Sequence, residues 1–267
     1  MASMELKDME PVENKDFPSD LISQRHPLLV ISHGKQHQKK TFFSISSDRH
    51  YPGIIPEVEN KLICTSSFGW LVLREDSHEC CVLNLESREK IQLPALDMNS
   101  SFCILTASPS DCNCYIVFIH GKDNKIIFKF CRPGDQEFSS QTFEGFPCSL
   151  SSVAFFGGKI ICSLYPESFL LTAEIVGSTL QFSDLITKEV PPFVSAPKLL
   201  SQSHLVEFSG EMLLVYRFRF ISGSCWDMGF TVFKLDFSKR ALEEVISIGE
   251  NAIFLDEDHG ICCPATD

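Results

Sequence analysis

The residues of this sequence that could perform chemistry together are carboxylates, which cluster in three short stretches. These stretches are "REDSHE" at residues 74–79, "ALEEV" at 241–245 and "LDEDHG" at 255–260. Paired carboxylates can act as general acid and general base on a sugar when a pocket of low dielectric separates their pKa values. Two stretches are predicted to be hairpin turns and the third begins a strand, which favours solvated carboxylates. A hydrolase or lyase that acts on a sugar or small metabolite through Asp256 and Asp258 is therefore the alternative function, and a non-catalytic role is the expected one.

Other catalytic and metal-binding patterns are missing from the sequence. It contains no Gly-x-Ser-x-Gly, no His-Glu-x-x-His and no Gly-x-x-x-x-Gly-Lys-Ser motif. The Gly-Gly-Lys at residues 157–159 is predicted to form a tight turn and not a phosphate site. His33 and His37 have the spacing of metal ligands on a helix, but the residues around them predict a loop. No catalytic residue, metal ligand or cofactor is expected.

The twelve cysteines are predicted to be free thiols. Without a secretory signal the compartment is reducing, and disulfides are then rare. A free cysteine in an apolar strand behaves as a small hydrophobic residue, and runs of this kind hold Cys80, Cys81, Cys114, Cys131, Cys162, Cys262 and Cys263. Adjacent cysteines point to opposite faces of a strand, so such a pair is poorly placed to share a zinc ion.

Three residues are candidates for binding a partner. Trp226 is predicted to lie in "ISGSCWDM" (221–228), the longest loop between paired strands, and Trp is enriched at interface hot spots. A Trp that closes the edge of a blade is the structural alternative. Arg217 and Arg219 alternate with phenylalanines, which predicts two cations on one face of a strand, in contact with an acidic ligand or in an ion pair with the next blade. The basic stretch at residues 33–40 is either a solvated loop or a further contact patch.

Charge and hydropathy restrict the classes of partner. The 267 residues carry a formal net charge of −12 at pH 7, with a pI near 5.1. Binding to nucleic acid or to an anionic membrane needs clustered Lys and Arg, so neither is expected as a partner. No apolar run reaches the length of a membrane helix, and the acidic N-terminus resembles neither a signal nor a transit peptide. Residues 1–25 are predicted to be disordered or the vestige of another module, and the expected location is cytoplasmic or nuclear.

Short apolar runs rich in Val, Ile and Phe, separated by turn residues, predict an all-β domain over residues 26–267. Comparable strands recur at intervals of about 44 to 52 residues, beginning after or near Gly69, Cys114, Gly158, Gly210 and Gly260. A four-stranded propeller blade occupies about 40 to 50 residues. The repeat therefore predicts a β-propeller of about five four-stranded blades, incomplete at its C-terminal end. A β-sandwich, or a pair of them, is the alternative because it needs similar strands without a recurring order.

The N-terminal strands lead to a prediction about how the ring closes. Strand-like runs at about 28–32, 41–46 and 61–65 precede the first repeat. An open ring would expose strand edges that invite aggregation. These three runs are therefore expected to fill the last blade and join the two ends of the chain. The alternative is a shortened relative of a larger propeller.

The stretch "SSFGWLVLREDSHECCVLNLESREKIQLPAL" (66–96) resembles one blade of the plant F-box-associated β-propellers of the KIB-type, kelch-like group. The residues that carry this resemblance are Gly69, Trp70, Leu71, Leu83, Asn84, Leu85, Ile91, Leu93 and Pro94. Residues 153–164, 205–218 and 230–265 are similar to further blades of the same family. The likeness runs from about Pro27 to the end of the chain, and it lies in the combination of motifs.

This resemblance implies a role in protein recognition. Full-length members of the family carry an N-terminal F-box that docks on the Skp-type adaptor of a cullin ubiquitin ligase, while the propeller selects the substrate. Here only "FPSDLISQ" (17–24) is similar to the opening of an F-box, and strand-like sequence begins near Pro27. The expected function is a non-catalytic protein-recognition propeller related to ubiquitin-ligase adaptors, with binding to the Skp-type adaptor left open. A truncated product without an independent role is a weaker alternative.

Overall fold

The fold is all-β, as the sequence predicts. The computed structural model describes residues 21, 26–34, 38–98, 102–144, 149–165, 169–185, 201–222, 225–256 and 259–265. Over these residues the chain forms 21 antiparallel strands and a short 3-10 helix at Pro56–Val58. None of the helical structure in these ranges has the length and hydropathy to cross a bilayer. The strands form small sheets that are arranged in a ring as a five-bladed β-propeller, which excludes the β-sandwich.

Four blades are complete four-stranded sheets in which consecutive strands pair. Blade one contains β4 (Leu62–Ser67), β5 (Trp70–Arg74), β6 (Cys80–Asn84) and β7 (Lys90–Leu93). Blade two contains β8 (Phe102–Leu105), β9 (Ile116–Lys122), β10 (Lys125–Cys131) and β11 (Ser139–Glu144). Blade three contains β12 (Ser149–Phe156), β13 (Lys159–Tyr165), β14 (Phe169–Val176) and β15 (Thr179–Leu185). Blade four contains β16 (Ser201–Phe208), β17 (Glu211–Ser222), β18 (Cys225–Asp236) and β19 (Ala241–Val245).

Two smaller sheets lie at the two ends of the blade series. The N-terminal sheet has three strands, β1 (Leu28–His33), β2 (Lys39–Ser44) and β3 (Arg49–Pro52). The terminal hairpin has two strands, β20 (Asn251–Leu255) and β21 (Gly260–Pro264). The first strands of the four blades contact one another in order, and β21 contacts β16 in the same way. These strands therefore lie nearest the shared axis of the ring.

Two-residue turns set the register between the first two strands in three of the four complete blades. In blade one, Phe68 and Gly69 form the turn with φ of 55° and 77°. Positive φ at both positions defines a type I′ turn, whose twist matches that of the strands it joins. Gly157–Gly158 in blade three and Ser209–Gly210 in blade four turn the chain in the same way. The Gly-Gly-Lys stretch is thus a turn, as predicted.

The core consists of apolar layers between neighbouring sheets, because each blade presents one face to each neighbour. Blade one packs Trp70 and Val82 against Ile116 and Phe118 of blade two. The layers between blades two and three and between blades three and four are equally buried. A further layer joins blade four to the terminal hairpin and contains Val206, Leu213, Val215, Val232, Val245, Ile248, Ile253, Leu255 and Cys262.

The prediction that three N-terminal strands fill the last blade is wrong for one of them. The run at 61–65 is β4, which pairs with β5 across the turn at Phe68 and Gly69 and so begins blade one. Pairing with a strand that follows after a two-residue turn has a far smaller entropic cost of loop closure than pairing with a strand at the end of the chain. The other two runs, with β3, form a sheet of their own, and within the described residues no strand pair joins this sheet to the terminal hairpin.

The N-terminal sheet covers the free face of blade one. Phe42 of β2 and the segment around Ile55 and Val58 pack against Leu71 and Leu83 of blade one. Leu21, which is the one described residue of the 1–25 segment, is buried in the same cluster. The rest of that segment lies outside the described residues, so the expected disorder of residues 1–25 stays a prediction.

Candidate functional site

The hairpin of β17 and β18 is the longest in the molecule as described. Each of its strands has 12 residues, whereas the other strands have 4 to 8. Its register runs from Leu213 opposite Lys234 to Ser222 opposite Cys225. On one side β16 reaches only to Phe218, and on the other side β19 reaches only to Val232. Within the described residues, the far half of the hairpin therefore extends beyond the strands that flank it.

One face of this hairpin combines apolar side chains with two arginines. Because alternate residues of a strand share a face, Val215, Arg217 and Arg219 lie on the same side of β17. The residues opposite them in β18 are Val232, Phe230 and Met228. Phe230 and Met228 are 53% and 50% exposed, which is unusual for large apolar side chains in a strand. The face passes from a buried layer at Val215 to an open surface.

The terminal hairpin leaves a cleft beside this face. The cleft has a volume of about 410 Å³ and is lined by Val215, Arg217, Phe230, Val232, Ile248, Ile253 and Leu255. We call this set of residues the blade-four cleft. Six of its seven lining residues are apolar, and Arg217 provides the charge. A mostly apolar concave surface with one fixed polar group is the usual composition of a binding site.

Arg217 is held in the cleft by an amide and not by a carboxylate. Its guanidinium donates a hydrogen bond to Oε1 of Gln202, which lies opposite Arg217 in β16. Among the described residues no carboxylate forms a salt bridge with Arg217 or Arg219. On the same face, at the other end of the hairpin, Lys234 is paired with Glu211. Within the described ranges, the charges of these two arginines are therefore not compensated by a carboxylate.

His204 of β16 lies next to the cleft on the same face of blade four, opposite Val215. Its side chain is 0% exposed, and neither ring nitrogen has a hydrogen-bond partner among the described residues. Burial, and then the positive charge of Arg217, lowers the pKa of His204 to about 4, against the opposing effect of Asp256. The imidazole is therefore neutral at pH 7 and presents one donor and one acceptor.

A glycine allows the terminal hairpin to cover His204. A Cβ at Gly260 would lie 2.5 Å from Cγ2 of Val206 and 2.9 Å from Cδ2 of Leu255. Distances this short do not occur between carbon atoms in contact. Gly260 thus permits the close approach of β21 to β16 at Val206 and His204.

The acidic stretches lie in the elements that the sequence predicts. Residues 74–79 span the turn between β5 and β6, residues 255–260 span the turn between β20 and β21, and residues 241–245 are β19. The carboxylate of Asp256 is 68% exposed and accepts a hydrogen bond from the backbone N–H of His259. Asp258 lies outside the described residues. A solvated turn carboxylate lacks the environment of low dielectric that acid–base catalysis on a sugar requires.

The cysteines and histidines form no candidate metal centre within the described ranges. His37, the second member of the predicted spacing, lies outside those ranges. Ten cysteines within the described ranges are free thiols. Burial raises the pKa of Cys80 and of Cys131 to about 12, so these thiols are unreactive. Cys114, predicted to lie in a strand, is buried in the loop before β9.

The three predicted binding residues belong to one hairpin. Arg217 lines the cleft and Arg219 lies on the exposed surface beyond it. Trp226 lies in β18 opposite Ile221. The prediction of a long loop is therefore wrong, because the strands pair almost to the hairpin tip, and the side chain of Trp226 is outside the described part of the structure.

Sequence reasoning did not identify His204, Phe230 or Gly260. The position of His204 in the apolar stretch "HLVEF" indicates a buried histidine. A buried polar side chain needs a hydrogen-bond partner, so this residue could have been noticed in the sequence. Phe230 could not be distinguished from the many other strand phenylalanines, because its exposure depends on where β19 ends. Gly260 was read as the start of a strand, and its role depends on the distance between β21 and β16.

Comparisons with known proteins agree with this architecture. The family model described as the KIB1-4 beta-propeller matches residues 42–267. A 96-residue part of the chain, 34% of its length, is 27% identical to the F-box protein At4g00893 of Arabidopsis thaliana. The match spans 25% of that relative, so the chain corresponds to about a quarter of its length.

Two solved structures are similar at low sequence identity. The AfRom2 CNH domain matches with a TM-score of 0.43 and 10% identity, over 87% of this chain and 91% of that one. The tricorn protease matches with a TM-score of 0.40 and 8% identity, over 82% of this chain and 21% of that one.

Proposed function

The chain belongs to the KIB1-4 β-propeller family, and from this membership we propose that it is a non-catalytic protein-recognition propeller whose docking surface is the blade-four cleft. The observation that carries the proposal is the exposed apolar face of the β17–β18 hairpin with Arg217 at its centre. Phe230 and Met228 present large apolar side chains to solvent beside a preformed cleft. Exposed apolar surface with a polar rim is typical of protein interaction sites.

The geometry of the hairpin supports docking of a macromolecule. Its far half extends beyond the described parts of β16 and β19, and Arg219, Met228 and Phe230 on its face are exposed. An accessible strand edge can pair with an extended segment of a partner, while the adjacent face selects side chains. Docking of a partner requires that the residues of this surface are correctly positioned and lose their bound water. It does not require proton transfer.

A capture experiment with surface variants tests this proposal. The tagged chain, its Phe230→Asp variant and its Val176→Asp variant are incubated with plant extract, and bound proteins are quantified by mass spectrometry. Val176 is an exposed apolar residue of β14 in blade three, so it controls for the added charge. We expect proteins that bind the wild type and Val176→Asp but not Phe230→Asp. If capture is the same for all three chains, the blade-four cleft is not the docking surface.

The relation to F-box proteins forms a second part of the proposal. We place the chain among substrate-binding modules of F-box ubiquitin ligases, supported by its similarity to part of an F-box protein. A pull-down of the purified chain with a Skp-type adaptor tests this part, with a complete F-box protein as the positive control. Binding of the adaptor supports it. Binding by the control alone contradicts it, and the docking surface is then that of a free-standing recognition protein.

A further inference from the structure

The charge of the blade-four cleft indicates what its partner must carry. The guanidinium of Arg217 has five N–H donors, and among the described residues Gln202 is its one hydrogen-bond partner. Arg219 lies two residues further along the same face and is exposed, with no carboxylate bound to it in the described ranges. A guanidinium that is partly desolvated and lacks an anion is a preformed site for a planar carboxylate.

His204 provides a second and independent observation. It is fully buried on the same face, beside Val215 of the cleft, and both of its ring nitrogens are without partners in the described structure. Buried polar atoms are nearly always hydrogen-bonded, and leaving one unsatisfied is destabilising. The charged and titratable groups around it are Arg217, Asp256 and His259. His204 is absent from the residues that line the cleft, so it borders the cleft as a buried neutral group, and the positive charge that a ligand meets there is that of Arg217.

The remaining cleft wall selects an apolar group next to that anion. Val232, Ile248 and Ile253 form the wall around Arg217, and Phe230 forms its exposed edge. In a peptide, an aliphatic or aromatic side chain and the carboxylate of the next residue lie close together. Both can therefore contact one cleft of about 410 Å³.

From these observations we propose that the blade-four cleft binds an acidic–apolar segment of a partner protein, in which the side chain of Asp or Glu lies beside an aliphatic or aromatic residue. This inference rests on the proposed function and names the chemistry of the partner. The carboxylate accepts hydrogen bonds from Arg217, and the apolar neighbour packs on Phe230. Arg217 is the one charged residue among those that line the cleft, and its planar fork matches a planar carboxylate, so a carboxylate is the anion that we place inside the cleft.

Defined peptide pools test the proposal with the full chain. One pool contains amidated hexapeptides labelled at the N-terminus with the uncharged dye nitrobenzoxadiazole, with Leu or Phe followed by Asp and no other acidic residue. A matched pool has Asn in place of Asp, and a third has phosphoserine. Binding is measured by fluorescence anisotropy for the wild type, Arg217→Gln, Phe230→Ser and Lys234→Gln. Lys234 lies on the same face but is paired with Glu211, so it controls for the loss of one positive charge.

We expect the wild type to bind the Asp pool at least about tenfold more tightly than the Asn pool, because hydrogen bonds to a charged group are the stronger ones. Arg217→Gln should abolish that preference, and Lys234→Gln should retain it. Phe230→Ser should weaken binding of both pools. We expect this variant to fold, because Phe230 is largely exposed.

Three results would overturn the carboxylate proposal: equal binding of the Asp and Asn pools, a preference for phosphoserine, or no saturable binding of the Asp pool at concentrations up to about 1 mM. Equal binding that Phe230→Ser still weakens would leave the docking surface in place, so this failure is distinct from that of the proposed function. Thermal unfolding of each variant is recorded in parallel. If Arg217→Gln is unfolded, Arg217→Lys is used, which keeps the charge but loses the planar fork and should lose most of the preference.

Discussion

Two interfaces of the propeller are built from the same kinds of strand but differ in how completely their apolar side chains are buried. Between blades two and three, two complete sheets face each other, and Phe128, Ile160 and Leu171 have no exposed surface. Between blade four and the terminal hairpin, two strands of the described structure cover a sheet of four. There Val206 and Leu213 are buried, whereas Phe230 remains largely exposed.

The difference shows that coverage, more than sequence composition, separates a core from a binding surface in this fold. Phe128 and Phe230 are both phenylalanines of long, apolar strands. The first is covered by a neighbouring blade and stabilises the fold, and the second lies beyond the reach of β20 and β21. A surface left partly covered also retains polar groups that a full core would exclude, and Arg217 is such a group.

The largest expected effect comes from truncation in the fully covered interface. Phe128→Ala should lower the free energy of unfolding by about 3–5 kcal/mol, because it removes a buried ring and leaves a cavity. Phe230→Ala should lower it by less than about 1 kcal/mol, since half of that ring is already in water. Urea unfolding followed by circular dichroism measures both values. Similar losses for the two variants would mean that the interfaces do not differ as described.

The next effect concerns His204 and pH. Burial lowers the pKa of His204 from 6.5 to about 4, so the unfolded chain binds a proton at a higher pH than the folded chain does. Its contribution to stability is complete above pH 6.5 and is lost as the pH falls from about 6.5 to about 4, by up to about 3 kcal/mol. Urea unfolding across this range measures the slope.

The control for this prediction is His204→Leu, which removes the imidazole and keeps the apolar contacts. Its stability should fall less steeply over the same pH range than that of the wild type, because the other titrating groups are shared. Parallel slopes for the two chains would show that His204 is not buried as a neutral imidazole.

The sequence was sufficient for the fold class, the recurrence of blades and the family. Glycines at turns and strands with apolar residues on both faces are local signals, and the turns at Gly69, Gly158 and Gly210 depend on their immediate neighbours alone. The pairing of β4 was missed because the choice between a near and a distant partner is a competition that strand patterns do not record. The cleft was predicted in part: Arg217 and Arg219 were visible by their spacing, but their relation to His204 and the terminal hairpin depends on how sheets pack.

A smaller effect is expected where the terminal hairpin approaches blade four. Gly260→Ala should lower stability by about 1–3 kcal/mol, because the new methyl group would collide with Val206 and Leu255. Adding Val206→Ala removes one of the colliding side chains. Urea unfolding of both single variants and the double variant should give a coupling energy of about 0.5–3 kcal/mol. Additive losses would indicate that β21 does not contact β16 at Gly260.

The smallest effect is expected for Arg219, and it concerns binding more than folding. This side chain is exposed at the rim of the cleft, so Arg219→Gln should change stability by no more than about 0.5 kcal/mol. Charges at the rim of an interface act mainly on the association rate and on its dependence on salt. Stopped-flow binding of the Asp peptide pool should therefore show slower association for Arg219→Gln at low ionic strength, with a difference that disappears at high salt. An altered dissociation rate at all salt concentrations would instead place Arg219 inside the contact, next to Arg217, and would extend the cleft along the open half of the hairpin.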